Sequence, residues 1–563
     1  MKKLLLSIGL AASVLTSCSD DFTEAVNYGT LDSSTLGNEQ GVDMLLIAAY
    51  SAMDGITARG YADWHVTGDN WWFDVLSDEA HKGSTDGDQA DLYQLETYDW
   101  QTNNGYIGGK WVALYAGVNR ANAVIATIMG IEDGGDYSAQ MAEARFLRGH
   151  FYYQLQQIFG APAYISEQNY IDKEFNQPNP GPVWAEIEAD FMYAMENLPA
   201  SQNDVGRPNM YAAQAYYGKT LLQQGKYADA FTQLSDIVDN DRFTLLPEFV
   251  DNFRLAGESG SESVFTIQFV ADGGQSFNGN RGATLSFPGG GPLNTCCGFY
   301  QPTQDLFNAF QTDASGLPLL DTWNQNDLAS DYGIASADAF TPTTVTLDPR
   351  VDYTVGRRGI DLNGFGVNPG KDWIRADFAD ISGPYLAKKN FYWNGEDSQQ
   401  GTGGWGEQRS GINYHIIRYA DVILMAAEAA AQTSNLPKAL EYVNMIRERA
   451  MNMTYVKDAD GNDAANYNIQ LYTSFTDQAH AVKAVKMERR LELAMEGKRL
   501  FDLRRYGNSQ DVINTYMQNE ARVITSFQDE ANSHSYQPKN DLMPIPIDAI
   551  DQSTGTLVQN AGY

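Results

Sequence analysis

Residues 211–238 read YAAQAYYGKTLLQQGKYADAFTQLSDIV. Within them Gly218, Leu221, Gly225, Tyr227, Ala230, Leu234 and Ile237 fall where two short antiparallel helices need them. Small residues let the two backbones approach, while Tyr227 and Leu234 fill the wedge between them. The stretch therefore predicts a helical hairpin. The same period appears at Met141, Ala144, Leu147, Phe151, Leu155 and Ile158, steps of three and four that make one buried face before Gly160 and Pro162 end it. A third set runs Ala420, Ile423, Leu424, Ala427 and Ala431, turns at Asn435-Leu436-Pro437, and continues through Leu440, Val443 and Ile446.

The spacing at 211–238 is that of a tetratricopeptide unit, and Leu436, Ala439, Val443 and Ile446 repeat its second half. The two units lie far apart in the chain, which argues against an uninterrupted solenoid. The expected fold is all-α: tetratricopeptide-like hairpins forming a curved scaffold, with a long loop-rich region packed on it. Between about 265 and 410 the sequence turns rich in Gly, Pro, Asn and aromatics and loses its helical period. The expected divisions are 1–17 as a signal peptide, 18–34 as a linker, 35–264 as an N-terminal helical region, 265–410 as the loop-rich ligand-binding region and 411–563 as a C-terminal helical region.

Lys2 and Lys3 precede an apolar run from Leu4 to Leu15 that is too short to span a bilayer, which reads as a processing segment. It closes on Leu15-Thr16-Ser17-Cys18, which resembles a bacterial lipobox; the mature chain would begin at an acylated Cys18 and hang from a membrane by lipid. Ser19-Asp20-Asp21 resembles the export tag of surface-exposed lipoproteins. No second long apolar stretch is evident, so the body is expected to be globular. The other cysteines, Cys296 and Cys297, are sequence neighbours and supply no disulfide framework. With 72 acidic against 38 basic residues the formal charge is −34, which repels nucleic acid and anionic membrane surfaces and remains compatible with a neutral ligand.

Several motifs occur in one order. Ala142-Glu143-Ala144-Arg145-Phe146-Leu147-Arg148 leads into Phe151-Tyr152-Tyr153 and Phe159-Gly160. Leu347-Asp348-Pro349-Arg350-Val351-Asp352-Tyr353 is followed by Gly383-Pro384-Tyr385 and Lys388-Lys389. Then come Arg418-Tyr419-Ala420-Asp421, Glu488-Arg489-Arg490-Leu491-Glu492-Leu493, Gly497-Lys498-Arg499-Leu500-Phe501-Asp502, Leu542-Met543-Pro544-Ile545-Pro546 and the closing Gln559-Asn560-Ala561-Gly562-Tyr563. Together they resemble the SusD/RagB family of nutrient-binding outer-membrane lipoproteins. The resemblance implies a cell-surface protein that captures glycan and delivers it to a SusC-type TonB-dependent transporter, and it implies no enzyme and no cofactor. Glu488, Glu492 and Glu496 beside Arg489, Arg490 and Arg499 read as pairs within and between helices, not as chemistry.

A sugar offers an apolar C–H face and a rim of hydroxyls, so its site needs exposed aromatics flanked by amides, carboxylates or guanidinium groups. Trp71 and Trp72, among Asp69, Asn70 and Asp74, are candidates, as are Trp100 with Asn103, and Tyr300, Trp323, Trp373, Trp393 and Trp405 in the middle region; Arg281 is a candidate donor. The family's starch-type sites, a tryptophan with an asparagine three residues on plus middle-loop aromatics, suggest Trp100, Asn103, Tyr300 and Trp323. Trp111 and Trp184 sit in helical patterns and read as core. Asp86, Asp88 and Asp91 could meet at a structural calcium ion, though a solvated acidic loop accounts for them as well. Asp458-Ala459-Asp460-Gly461-Asn462-Asp463 opens like a calcium-binding loop but lacks its glycine and final glutamate, and reads as an acidic turn. Two rivals stand beside glycan capture: peptide import, and a helical glycoside hydrolase using carboxylates such as Asp69, Asp74, Asp78 and Glu79.

Overall fold

The computed structural model describes residues 36–55, 61–271, 279–293, 297–402, 408–458 and 460–563. Cys18 and the leader before it, Cys296 and Trp405 lie outside them. Helix α1 (Glu39–Tyr50) begins where the Asn38 side chain accepts from the Gly41 amide. It is followed by α2 (Gly105–Met129), α3 (Ser138–Phe159), α4 (Trp184–Asn197), α5 (Met210–Gln223) and α6 (Tyr227–Asp239), and of these six each packs on the next. Glycine decides two of these approaches. A Cβ at Gly117 would lie 2.4 Å from the Phe151 ring, and one at Gly218 would lie 2.7 Å from Leu234. The turn between α5 and α6 uses Gly225 at φ +71°.

By length and composition α2 is apolar enough to cross a bilayer, a stretch that the sequence reading passed over. Here it is a core helix, with Tyr106, Ile107, Val118, Ala121 and Val124 buried.

Past the loop-rich middle, which holds the short α7 (Arg281–Ser286), come α8 (Tyr419–Gln432), α9 (Leu436–Asn452), α10 (Gln478–Leu493), α11 (Arg499–Tyr506) and α12 (Ser509–Glu520). Helix α8 is buried on every side, since its alanines let α6, α9 and α10 all come close. The contact of α6 with α8 makes the two hairpins spatial neighbours despite the residues between them. Strand β1 (Ala80–Gly83) pairs antiparallel with β3 (Phe299–Pro302). Strand β2 (Ser263–Ile267) pairs antiparallel with β4 (Tyr414–Arg418), so the chain enters and leaves the middle region at one ladder.

The motifs from the middle and the C-terminal third converge on one ionic core. Arg350 and Arg418 are completely or almost completely buried and flank Glu492, at 3.0 Å and 2.6 Å, with Arg449 against the same carboxylate. Glu488 pairs with Arg350 and Arg447, and Glu496 with Arg418 and Lys389. Arg489 takes Asp421 and Asp502, and Arg499 takes Asp78. These glutamates and arginines pair between elements and not along their own helix, so the motif staples distant segments together.

The acids considered for calcium diverge. Asp86 accepts from the Ile381 amide, Asp88 meets Arg375 at 2.7 Å, and Asp91 accepts from the Gly105 amide. Asp458 holds its own turn, accepting from the amides of Asp460 and Asn462. Cys297 is disulfide-bonded, to a partner outside the described residues.

Candidate functional site

Most of the aromatics read as exposed platforms are packed inside. Trp71 and Trp72 open a single 3-10 turn (Trp71–Asp74) and are 6% and 1% exposed. Trp71 sets its edge on Tyr414, and Trp72 stacks on Phe73 and tilts against Tyr106. Tyr300, on β3, is 1% exposed, and Arg281, the first residue of α7, is 4% exposed. Asp69 joins these groups, since a Cβ at Gly282 would lie 2.2 Å from its carboxylate, and Tyr300 feels the Asp69 charge. Trp71, Trp72, Arg281 and Tyr300 thus share one buried neighbourhood. Trp100 lies elsewhere, buried against Tyr98, its Nε1 donating to the Tyr563 hydroxyl at 2.9 Å. Asn103 is exposed one residue before the Asn104 cap of α2. In this conformation these tryptophans have no free ring face for a sugar.

The hydrolase candidates are likewise occupied. Asp74 accepts from the Gly497 amide, Glu79 from the Met495 amide, and Asp78 is bidentate with Arg499 at 2.8 and 2.9 Å. Burial alone would raise Asp78, but Arg490 and Arg499 hold it at about 2, whereas burial pushes Glu79 up to about 7. Asp69 lies beside Lys110, and burial raises it. All four carboxylates are buried, and Asp74, Asp78 and Glu79 tie the 71–79 segment to the C-terminal motifs.

Trp323 differs from the other candidates. It is half-buried at the rim of a cleft of about 370 Å³ between the 320–324 segment and helices α10, α11 and α12. The Arg490 guanidinium lies over its ring at 4.5 Å. Asn324, Thr515 and Tyr506 add hydroxyl and amide groups to the lining, and Lys486 stands 3.9 Å from the centre of the Tyr506 ring. Lys483, Lys486 and Arg490 recur at steps of three and four on α10, so one face of that helix presents all three to the cleft. That basic stripe in an acidic chain was legible in the sequence; what it faces was not.

A second aromatic surface lies in the middle region. Trp373 is half-buried against Gly291, where a Cβ would stand 2.5 Å from the indole, and Phe378 is 41% exposed with Lys371 5.3 Å over its ring. Arg358 covers Phe340 at 5.6 Å and donates to the carbonyls of Ala335, Ser336 and Asp338, which knits the loops bearing these rings together.

Comparison with known proteins gives this architecture a context. A sequence profile described as "SusD family" matches residues 261–563, and one described as "Starch-binding associating with outer membrane" matches residues 27–222. SusD-like protein P2 of Formosa agariphila is 25% identical over 485 residues, covering 84% of this chain and 83% of its own. A SusD-like protein of Bacteroides ovatus is 24% identical over 478 residues, covering 80% and 76%. Among solved structures, a laminarin-binding SusD-like protein superposes with a TM-score of 0.65 at 22% identity, covering 93% of this chain and all of its own. Surface glycan-binding protein A of Bacteroides thetaiotaomicron, in complex with laminarihexaose, superposes at 0.63 and 17% identity, covering 93% and 99%. At these identities the structural likeness establishes a shared fold.

Proposed function

This chain belongs to the SusD family, and from that premise we propose that it is a glycan-binding protein of the outer membrane that captures oligo- or polysaccharide and hands it to a SusC-type TonB-dependent transporter. On this reading Cys18 carries the lipid anchor, and the protein binds without catalysing. The observation that carries the proposal is the Trp323 cleft, where a partly exposed indole stands among hydroxyl, amide and cationic groups in a space large enough for a sugar residue. Laminarin and laminarihexaose binding by proteins of this fold supports a glycan ligand.

A groove beside β2 keeps peptide capture in view. It encloses about 410 Å³, is lined by Ile47, Tyr50, Met53, Val205 and Ile267, and carries Asp204 and Arg207 among its walls. An apolar channel flanked by charge suits an extended peptide.

Affinity electrophoresis of the chain from Ser19, through gels containing a panel of polysaccharides, tests the choice. Retardation without release of reducing ends, diminished in Trp323→Ala, is the expected result. Migration unaffected by every polysaccharide, with peptides bound instead, would replace glycan capture by peptide import, and new reducing ends would indicate hydrolysis.

A further inference from the structure

The Trp323 cleft holds an arginine that the protein leaves incompletely used. Arg490 is 3% exposed, and its Nη2 reaches Asp305 at 2.8 Å and Asp78 at 3.1 Å. Its Nε and Nη1 find no hydrogen-bond partner among the described residues. Buried guanidinium donors left unpaired are costly, and native proteins keep such groups where something else completes them. Neither neighbouring carboxylate serves Arg490 alone, although Asp78 is ionised, held at about 2 against burial by Arg490 and Arg499. Asp78 gives its two oxygens to Arg499, and burial pushes Asp305 up to about 7, against the pull of Arg490. Lys486 and Lys483 stand on the same helix face, one and two turns before Arg490. The lining sets Lys483, Lys486, Arg490 and Arg499 against Asp78, Asp305 and Asp511, a basic excess of one in a chain whose formal charge is −34.

A neutral sugar would use the indole and the hydroxyls of this cleft but would leave the excess positive charge unanswered. We infer that the cleft binds an anionic residue of the captured glycan, its carboxylate or sulfate oxygens meeting Arg490, Lys486 and Lys483 while its C–H face lies on the open part of Trp323. This rests on glycan capture and specifies which class of glycan is held. It also departs from the whole-chain charge: distant acidic groups are screened within about 10 Å at ordinary ionic strength, so short contacts to Arg490 and Lys486 outweigh them. The exposed Asp321, paired with Lys483 at 2.6 Å, is a built-in competitor for the same cation.

The test compares three polymers on one backbone, polygalacturonate, its carboxyl-reduced form and the sulfated derivative of that reduced polymer, by affinity electrophoresis and calorimetry. Wild type is expected to hold polygalacturonate or the sulfated polymer at least tenfold more tightly than the reduced one, and the preferred polymer identifies the anionic group. Lys486→Ala and Arg490→Lys should each weaken the acidic polymer about tenfold and the reduced polymer by no more than about twofold, with thermal melting confirming that the variants fold. Asp321→Asn should strengthen acidic binding several-fold, a gain that no loss of structure can imitate. Equal retention by the acidic and reduced polymers, or acidic binding indifferent to Lys486→Ala, would overturn the inference while leaving glycan capture standing through Trp323. Failure of every polysaccharide to bind would remove both.

Discussion

Arg350 and Arg418 have all three guanidinium nitrogens engaged by carboxylates or carbonyls. Arg490, two residues before the Glu492 that both of them flank, has one nitrogen engaged and two without partners among the described residues. Both regions bury charge behind the same helix; the first is closed around Arg350 and Arg418, although Arg449 keeps Nε and Nη1 without hydrogen-bond partners among the described residues, and the second opens on a cleft. Burying an ion pair gains little net stability over apolar packing, but breaking one is severe, because the surviving charge stays out of water. The first arrangement therefore fixes which segments meet, and the second is where the proposed ligand would complete the pairing.

The sharpest way to break that contrast is Glu492→Gln. It removes the charge that Arg350, Arg418 and Arg449 share, leaving Arg449 the least compensated, and should cost about 3–5 kcal/mol, read as a lower urea midpoint with an unchanged slope. Acid should act on the same core. Burial would raise Glu496, but Arg418 and Lys389 hold it at about 2, below its ordinary 4.5. Its contribution is complete above pH 4.5 and is lost as pH falls through about 2, a decline worth up to about 3 kcal/mol that salt should hardly change. His81 gives the opposite sign. Burial would lower it, but Glu520 and Glu96, each 2.8 Å away, raise it from 6.5 to about 10, so its share is complete below pH 6.5 and is lost as pH rises through 10.

At the cleft, Trp323→Ala should weaken glycan retention about tenfold with little change in melting temperature. Trp100→Phe sharpens the distinction from the other side: it removes the bond to Tyr563, costs about 1 kcal/mol of stability, and leaves retention intact. The smallest effect is Gly218→Ala, whose Cβ would press on the flexible tip of Leu234 and cost about 1 kcal/mol, seen as a melting shift of a few degrees at most.

The helical scaffold could be read because a period of three and four with glycine at the close approaches has few other meanings. The neighbourhood of α6 and α8 could not, since no local pattern states which distant hairpin a helix will meet. The ordered motifs were visible as charged clusters, but their pairing between elements was hidden, because Glu488 stands beside Arg489 in sequence and beside Arg350 in space. At the site, flanking Asn and Gly mark irregular backbone and say nothing about depth. Trp71, Trp72 and Trp100 lie in irregular segments that the rest of the chain covers, while Trp323 occupies a similar setting at a rim. Lys483 and Lys486 carried a signal in their spacing with Arg490, which composition at −34 obscured.

The β2–β4 ladder has a bearing on how such a molecule changes over generations. Thr266 pairs with His415 and Ile267 with Tyr414, so the whole loop-rich excursion starts and finishes at adjacent rungs. An excursion hinged in that way can be lengthened, shortened or exchanged for another without displacing the helices beneath it, as a cassette is changed in its housing. The exchange is limited where the excursion reaches the rest of the molecule: Asp305, Asp348, Arg350 and Lys389 enter the shared ionic pairs, and β3 pairs with β1. A transplanted loop region would have to bring those side chains and that strand with it, leaving its outer turns free to diverge toward a different ligand.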